Sequence, residues 1–442
     1  MTVSRAVGRV RFGLAAVCLS VALVVVSGVA FTRGGGFGAA TPQGRGPVSS
    51  AGLATTGDMS SSIAALQSRL KRLPDDYDAW AALGTAYVQQ ARITGDPSYY
   101  AKATGVLRRS LEVKLTHNPG ALTGQAALAA ARHDFPRALH LARKSMNVNA
   151  YSTASMAVLV DSLVELGRYD DVTRALQRFV DVKPGVPAYT RISYNYELHG
   201  NLEGARFAMR RALATAYSSD DRAFALFELG ELAWNSGELR RARSLYREGW
   251  DADRDYVANL YGLAKSDAGL GDTRRAVQRY QQVVDRLPQP TYVIEYADLL
   301  TSLGRTAKAA EQHLLIKAQE RLFRSAGVNL DLELALYDAS HGRPARALEE
   351  ARTAWQERRS IFVEDAYAWA LHVNGRDGAA LQHAVHAQRL GTRSALLAFH
   401  RGMIEQSLGN RRDGERWLNR ALGINPAFNP IFAAEARQVL SR

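Results

Sequence analysis

Apolar residues recur at helical spacing along most of the chain, in segments that flank short polar turns. Before the turn at Gly237, for example, Leu226, Leu229 and Ala233 lie on one face of a predicted helix. The chain is also rich in Ala, Leu and Arg and contains only 13 prolines among 442 residues. That composition favours helices over a β-sandwich. The pattern therefore predicts an all-α chain built from helix–turn–helix units.

The turns themselves repeat. A glycine precedes a short turn at steps of 33 to 38 residues. These glycines are Gly167, Gly200, Gly237, Gly271, Gly304, Gly342, Gly375 and Gly409. Five residues after each glycine stands alanine or glycine, with Val172 as the one larger residue. A fixed period of this length is the signature of a repeat architecture.

The stretch "LGDTRRAVQRYQQVVDRLP" (270–288) shows the physical role of each repeated position. Gly271 ends the first helix, where a left-handed residue without a Cβ is favoured. Ala276 lets the second helix approach the first closely, and Tyr280 fills the gap towards the next unit. Pro288 stops the second helix.

The segment "WAALGTAY" (80–87) resembles the opening of a tetratricopeptide repeat, and "LVELGRYDD" (163–171) and "LLTSLGRTAKAA" (299–310) repeat the turn. The resemblance covers residues 63–442 and implies a right-handed α-solenoid of about ten tandem helix-turn-helix repeats. The first helix of each repeat would line a concave groove. Two departures interrupt the pattern before residue 150: the insert "ITGDPSYY" after Tyr87, and a second unit without the turn glycine.

If this geometry holds, residues ten, six and three positions before each turn glycine face the groove. The candidate groove residues are Tyr194, Phe227, Glu231, Trp234, Tyr261, Lys265, Trp369, Phe399 and Met403. A row of aromatic residues suits the binding of an extended or helical protein segment. The alternative is that these residues pack against neighbouring units or against a bent-in terminal helix. Lys265 has no basic partner in the adjacent unit, which argues against a clamp for a carboxylate.

The N-terminus predicts export. Residues 1–11 are basic, residues 12–31 are uncharged and apolar, and residues 32–62 are rich in Gly, Ser, Thr and Pro. We interpret these segments as a cytoplasmic n-region, a signal-anchor helix and a flexible linker, with residues 63–442 displayed outside the cytoplasmic membrane. Cleavage after Ala30, which would release the protein, is the alternative. Lipidation at Cys18, the single cysteine, is disfavoured because Val17 precedes it.

No motif for catalysis, cofactor binding or a metal site is recognisable. His372, His383 and His386 are metal candidates by type, but no further ligand stands at helical spacing. The net charge of +13 includes arginine pairs such as Arg210-Arg211 and Arg274-Arg275. They fall mainly on second helices with acidic residues nearby, which is typical of a solvated face rather than of nucleic-acid binding.

These observations predict a non-catalytic protein–protein interaction scaffold that binds protein segments during envelope assembly or secretion. The alternative is an accessory subunit of an envelope enzyme or polymer export system. Its arginine-rich face would then contact an anionic polymer or lipid. We expect no cofactor and no nucleic-acid partner, and the pattern predicts no particular oligomeric state or partner identity.

Overall fold

The computed structural model describes residues 56–442, and every regular element in this range is an α-helix. The first helix begins at Thr56, inside the predicted linker 32–62. The reason lies in Met59, which is fully buried and so fixes the first turn of this helix. The predictions for residues 1–11, 12–31 and 32–55 lie outside the described residues. Within residues 56–442, no helix combines the length and apolarity needed to cross a bilayer.

The helices follow one another with short connections. The first eleven are α1 (Thr56–Arg72), α2 (Tyr77–Thr94), α3 (Ser98–Val113), α4 (Pro119–Ala131), α5 (Phe135–Val148), α6 (Thr153–Glu165), α7 (Tyr169–Val182), α8 (Val186–Leu198), α9 (Leu202–Ala214), α10 (Ser219–Asn235) and α11 (Leu239–Ala252). The remaining ones are α12 (Val257–Gly269), α13 (Thr273–Arg286), α14 (Pro290–Ser302), α15 (Thr306–Ser325), α16 (Asp331–Ser340), α17 (Pro344–Glu357), α18 (Ile361–Val373), α19 (Asp377–Ala387), α20 (Ala395–Ser407), α21 (Arg411–Ile424) and α22 (Phe432–Leu440).

Helices α2 to α21 form ten hairpins, numbered here in chain order, and α1 and α22 flank them. The turn glycines have φ between 66° and 87°, as the left-handed end of a helix requires. The small residues after the turns, such as Ala205, Ala242 and Ala276, are fully buried where the two helices of a hairpin meet. Tyr280 is also buried, and its ring stacks on Tyr296 of the next hairpin. The α-solenoid of about ten repeats is confirmed.

The two departures in the sequence have simple structural explanations. In hairpin 1 the residues read as an insert contain the turn glycine, Gly95, with φ of 66°. In hairpin 2 the left-handed turn position is filled by His133, with φ of 61°. The His133 ring stacks on Phe135, and its Nδ1 lies 2.8 Å from the carbonyl oxygen of Asn329. A contact to a distant part of the chain therefore accompanies the unusual backbone here.

That contact belongs to a series. The solenoid winds so tightly that the turns of hairpins 1 to 5 contact the loops that follow hairpins 6 to 10, 187 to 196 residues further along the chain. We call these contacts the seam. A Cβ added at Gly167 would lie 2.4 Å from the carbonyl oxygen of Arg359, and one at Gly200 would lie 2.5 Å from that of Gly391. Glycine at these turns thus permits backbone contact as well as the left-handed conformation.

Hydrogen bonds join the two sides of the seam at almost every level. The Tyr169 hydroxyl accepts from the backbone N–H of Ile361 at 2.9 Å. The Asn425 side-chain amide donates to the carbonyl oxygen of Trp234 at 2.8 Å. A buried ion pair adds to them, since Arg358 donates to Glu165 at 3.0 Å and both side chains are at most 10% exposed. The seam therefore fixes the pitch of the solenoid.

The C-terminal segment, residues 425–442, leaves the path of the hairpins. Its residues Phe428 and Phe432 pack on helices α18 and α20, while Asn429 bonds to Asp298 of α14. The segment thus lies across the first helices of several hairpins. We call the side of the solenoid that these first helices form, and that residues 425–440 cover, the inner face.

Candidate functional site on the inner face

The sequence predicted an exposed aromatic groove, and the structure corrects this prediction. The candidate groove residues do lie on the first helices of their hairpins, on the inner face. Most are buried, however, with relative exposures of 0 to 6%. These are Phe227, Trp234, Tyr261, Lys265, Trp369 and Phe399. Tyr194, Glu231 and Met403 are half-buried. The interpretation left open in the sequence, packing against neighbouring units and a bent-in terminal helix, is the one that the structure shows.

The first of two centres on the inner face surrounds Lys265 of α12. Its ammonium lies 2.6 Å from a carboxylate oxygen of Glu231 on α10. It also lies 5.2 Å from the ring centre of Trp234 and 4.9 Å from that of Tyr261. This buried cation is therefore held by an ion pair and by aromatic faces. The pairing explains why Lys265 has no free charge to offer a ligand carboxylate.

Further carboxylates lie around this cation, and two of them accept hydrogen bonds from hydroxyl or amide groups. The Tyr261 hydroxyl donates to Glu295 at 2.5 Å, and the Asn235 amide donates to Glu197 at 2.9 Å. Burial raises the pKa of Glu197 to about 7, against the opposing effect of the Asn235 hydrogen bond. Burial likewise raises the pKa of Glu295 and, well above its usual value, that of Glu228. Low solvation thus disfavours negative charge at this centre.

The second centre is aromatic and lies at the C-terminal end. The Phe432 ring of α22 stacks on Phe399 at 4.6 Å and lies 6.0 Å from Trp369. Phe428 approaches Phe399 at 5.8 Å. All four side chains are at most 6% exposed. Two aromatic residues four positions apart thus fill the end of the groove that the sequence predicted to be open.

Polar atoms under α22 are incompletely satisfied. His400 Nδ1 bonds to Asp365 Oδ2 at 2.8 Å, and the His400 ring stacks on Trp369 at 4.3 Å. Three buried atoms of this cluster have no hydrogen-bond partner within the described residues: Asp365 Oδ1, Trp369 Nε1 and His400 Nε2. An unsatisfied buried polar atom costs on the order of 1–3 kcal/mol. Packing of the chain's own helix α22 on this cluster therefore leaves these three atoms without hydrogen bonds.

A cavity of about 330 Å³ remains between the two centres. Trp234, Lys265 and Tyr280 line one wall, and Phe428 and Arg437 of the C-terminal segment line the other. Its polar groups come from several helices, whereas its apolar wall comes partly from the terminal segment. The cavity is the part of the inner face that α22 leaves unfilled.

The other residues singled out in the sequence have local partners. His372 bonds to Asp377 at 2.5 Å, while His383 and His386 both bond to Glu364, at 2.7 and 3.0 Å. Among the described residues no group of three or more His, Cys, Asp and Glu side chains is arranged to hold a metal ion.

The arginine pairs differ from one another. Arg358 is buried in the seam, whereas Arg210 and Arg274 are exposed on second helices.

Sequence reasoning missed the residues that close the inner face, Phe428, Asn429 and Phe432. Their signal was the segment "NPAFNPIFAAEA" (425–436), which lacks the turn glycine and places two phenylalanines four residues apart. Two large apolar side chains so close together predict a buried contact, but the sequence does not indicate on which surface they pack.

No protein-family model and no curated protein matches the chain. Among solved structures, it is similar to TTC0263, a thermophilic TPR protein of Thermus thermophilus, at 19% identity and a TM-score of 0.36, over 38% of this chain and 91% of that one. The APC/C heterotetramer Cut9–Hcn1 is similar at 13% identity and a TM-score of 0.39, over 87% and 90%. The human IFIT1 dimer with m7Gppp-AAAA is similar at 11% identity and a TM-score of 0.44, over 83% and 86%.

The fold assignment rests on features of this chain alone. The turn glycines recur at 33 to 38 residues, each turn joins two antiparallel helices, and small residues lie where the helices of a hairpin meet. Together these features make the described part of the chain an all-helical solenoid of ten helix–turn–helix hairpins.

Proposed function

We propose that this chain is a non-catalytic protein-interaction scaffold, displayed outside the cytoplasmic membrane, whose inner face binds helical segments of partner proteins during envelope assembly or secretion. One observation supports the binding mode: the inner face already holds a helix, α22 of the chain itself. The basic and apolar N-terminal segments of the sequence are the reason for proposing the location.

We call the surface that Trp369, Phe399 and His400 form beneath α22 the seat. Its chemistry indicates which side chains a partner segment would carry. Phe428 and Phe432 supply two aromatic rings, one in the loop just before α22 and one at the first residue of that helix. Trp369 and Phe399 receive them. The unused hydrogen-bonding atoms beneath α22 add a preference for a segment that also brings a polar side chain near His400. Such a segment would recover the hydrogen bonds that α22 does not make.

A peptide-binding experiment tests this proposal. Replacing both Phe428 and Phe432 by alanine removes the aromatic contacts of the C-terminal segment with Trp369 and Phe399, and should expose this part of the inner face. A fluorescent peptide of residues 425–442 should then bind the variant, as fluorescence anisotropy would report, and bind the native chain much more weakly. The matched control is the same peptide with both phenylalanines replaced by serine. A variant that keeps its helical circular dichroism yet binds neither peptide would contradict the proposal.

The natural partner can be sought with a photoreactive residue at Met403, which is half-buried beside this seat. Crosslinking in membranes, followed by mass spectrometry, should identify captured segments with paired aromatic residues. The same spectra would show whether residues 12–31 remain on the protein. Capture that is unchanged by the two alanine substitutions would place partner binding elsewhere.

A second candidate function rests on the outer face, which the second helices of the hairpins form. Arg210, Arg240, Arg247 and Arg274 are exposed on α9, α11 and α13, and none of them has an ion-pair partner among the described residues. Their unpaired charge would suit contact with an anionic polymer or lipid of the envelope. Such contact should weaken steeply with ionic strength, whereas inner-face binding should change little.

A further inference from the structure

The solenoid has two edges, and the seam uses a different one in the early hairpins than in the late hairpins. One edge, the turn edge, consists of the turns within hairpins. The other, the loop edge, consists of the loops between hairpins. In the seam, the turn edge of hairpins 1 to 5 packs on the loops that follow hairpins 6 to 10. Leu287 lies in the first of these loops and Asn425 in the last. The turn edge of hairpins 6 to 10 and the loop edge between hairpins 1 and 6 take no part in it.

The free turn edge is open. A Cβ added at Gly271, Gly304, Gly375 or Gly409 would meet nothing within 4 Å. In the seam, the corresponding addition at Gly167 would lie 2.4 Å from a carbonyl oxygen. The free turns nevertheless keep the same glycine and nearly the same φ, between 70° and 87°. They thus present the same backbone shape that packs on a loop in the seam.

The free loop edge carries exposed apolar side chains. Leu115, Tyr151 and Tyr217 lie in three of its loops and are 80%, 76% and 92% exposed. The loops of the seam hold apolar side chains too, but there they are buried. Val328 and Leu330 are each 5% exposed. The same kind of loop is therefore covered in the second superhelical turn and uncovered in the first. Large exposed apolar residues on one edge are typical of a contact surface.

We propose that the free loop edge of one copy of this chain docks on the free turn edge of another. The partner is a second copy because the seam already joins these two kinds of edge within one molecule. The contact is heterologous, so a docked pair still has one free edge of each kind, the turn edge of one copy and the loop edge of the other. Association would therefore continue the superhelix from copy to copy, head to tail, instead of closing into a symmetric dimer.

The test uses the full chain in detergent and two sets of variants. The loop-edge variant carries Tyr151→Asp and Tyr217→Asp, which place charge on the docking loops. The turn-edge variant carries Gly304→Asn and Gly375→Asn. Asparagine tolerates the left-handed conformation, but its side chain would hold an incoming loop away. Sedimentation velocity should show a series of species that grows with concentration for the native chain, and a single smallest species for each variant alone.

Mixing the two variants gives the decisive result. Each keeps one intact edge, so together they should form a species of two copies, one of each kind, and nothing larger. Two different fluorescent labels would identify it. Phe207→Asp serves as the control for a charged residue at an exposed apolar site, since Phe207 is 62% exposed on α9, away from both edges. It should associate as the native chain does.

Other outcomes would overturn the inference. A native chain that stays in its smallest species at every concentration has no such contact. Association through residues 12–31 would persist in both variants. A mixture that fails to form the mixed pair would mean that the exposed loops bind a different protein.

Discussion

A pair of matched substitutions tests whether the seam stabilises the solenoid. Gly167 and Gly304 occupy the same position in their hairpins, with φ of 73° and 70°. Alanine at either position bears the cost of a left-handed backbone, about 1–2 kcal/mol. The two sites differ in their surroundings: only at Gly167 does the seam lie against the backbone.

The magnitude follows from the distances. A Cβ at Gly167 would lie 2.4 Å from the carbonyl oxygen and 2.6 Å from the carbonyl carbon of Arg359, whereas one at Gly304 would have no neighbour within 4 Å. Backbone atoms cannot rotate away as a side chain can, so the seam must separate locally. Forcing a methyl group into a packed interface costs about 1–3 kcal/mol. We expect Gly167→Ala to lower the free energy of unfolding by about 2 kcal/mol more than Gly304→Ala.

Urea unfolding followed by circular dichroism measures this difference, and hydrogen exchange locates it. Amides of residues 358–361 should exchange faster in Gly167→Ala and unchanged in Gly304→Ala. The Ile361 amide is the most informative of them, since it donates to the Tyr169 hydroxyl across the seam. Equal destabilisation by the two alanines, with equal exchange, would refute the reasoning that the seam carries stability.

Two further predictions concern the inner face. Glu197→Gln keeps the acceptor for Asn235 but removes a carboxyl whose pKa burial raises from 4.5 to about 7. The native carboxyl favours folding below about pH 4.5 and loses that advantage as pH rises through 7, so the variant should gain up to about 3 kcal/mol at pH 8. Urea unfolding at several pH values checks this. If the free energy of unfolding depends on pH in the same way in the variant as in the native chain, the prediction is contradicted. Lys265→Met should cost up to about 3 kcal/mol, because it leaves the half-buried Glu231 without its cation. Adding Glu231→Gln should restore much of the loss, and a double variant no better than the single would disprove the coupling.

The sequence predicted the local architecture well because hairpin geometry depends on nearby residues. Turn glycines, the small residues that follow them and Tyr280 act within one or two units, and their spacing is visible in the sequence. The pitch of the solenoid is different. It is the sum of small rotations between successive hairpins, and no single position encodes it.

For this reason the seam and the burial of Trp234 could not be predicted. Gly167 and Gly304 look alike in the sequence, although only Gly167 contacts a loop across the seam. The candidate site was correctly placed on first helices, yet its exposure depended on where Phe428 and Phe432 would pack. An apolar helix face specifies that it must be covered, but not by which surface.

The contact between Asn425 and the turn that follows Trp234 has a consequence for the synthesis of this chain. Repeat arrays usually fold by adding one unit to the next, so that early units are complete before late ones exist. Here the early hairpins gain their last contacts from residues about 190 positions downstream. Long-range contacts of this kind raise the contact order and slow folding. During synthesis from the N-terminus, each of hairpins 1 to 5 must therefore remain partly assembled until about 190 further residues have been made, from Leu287 for hairpin 1 to Asn425 for hairpin 5.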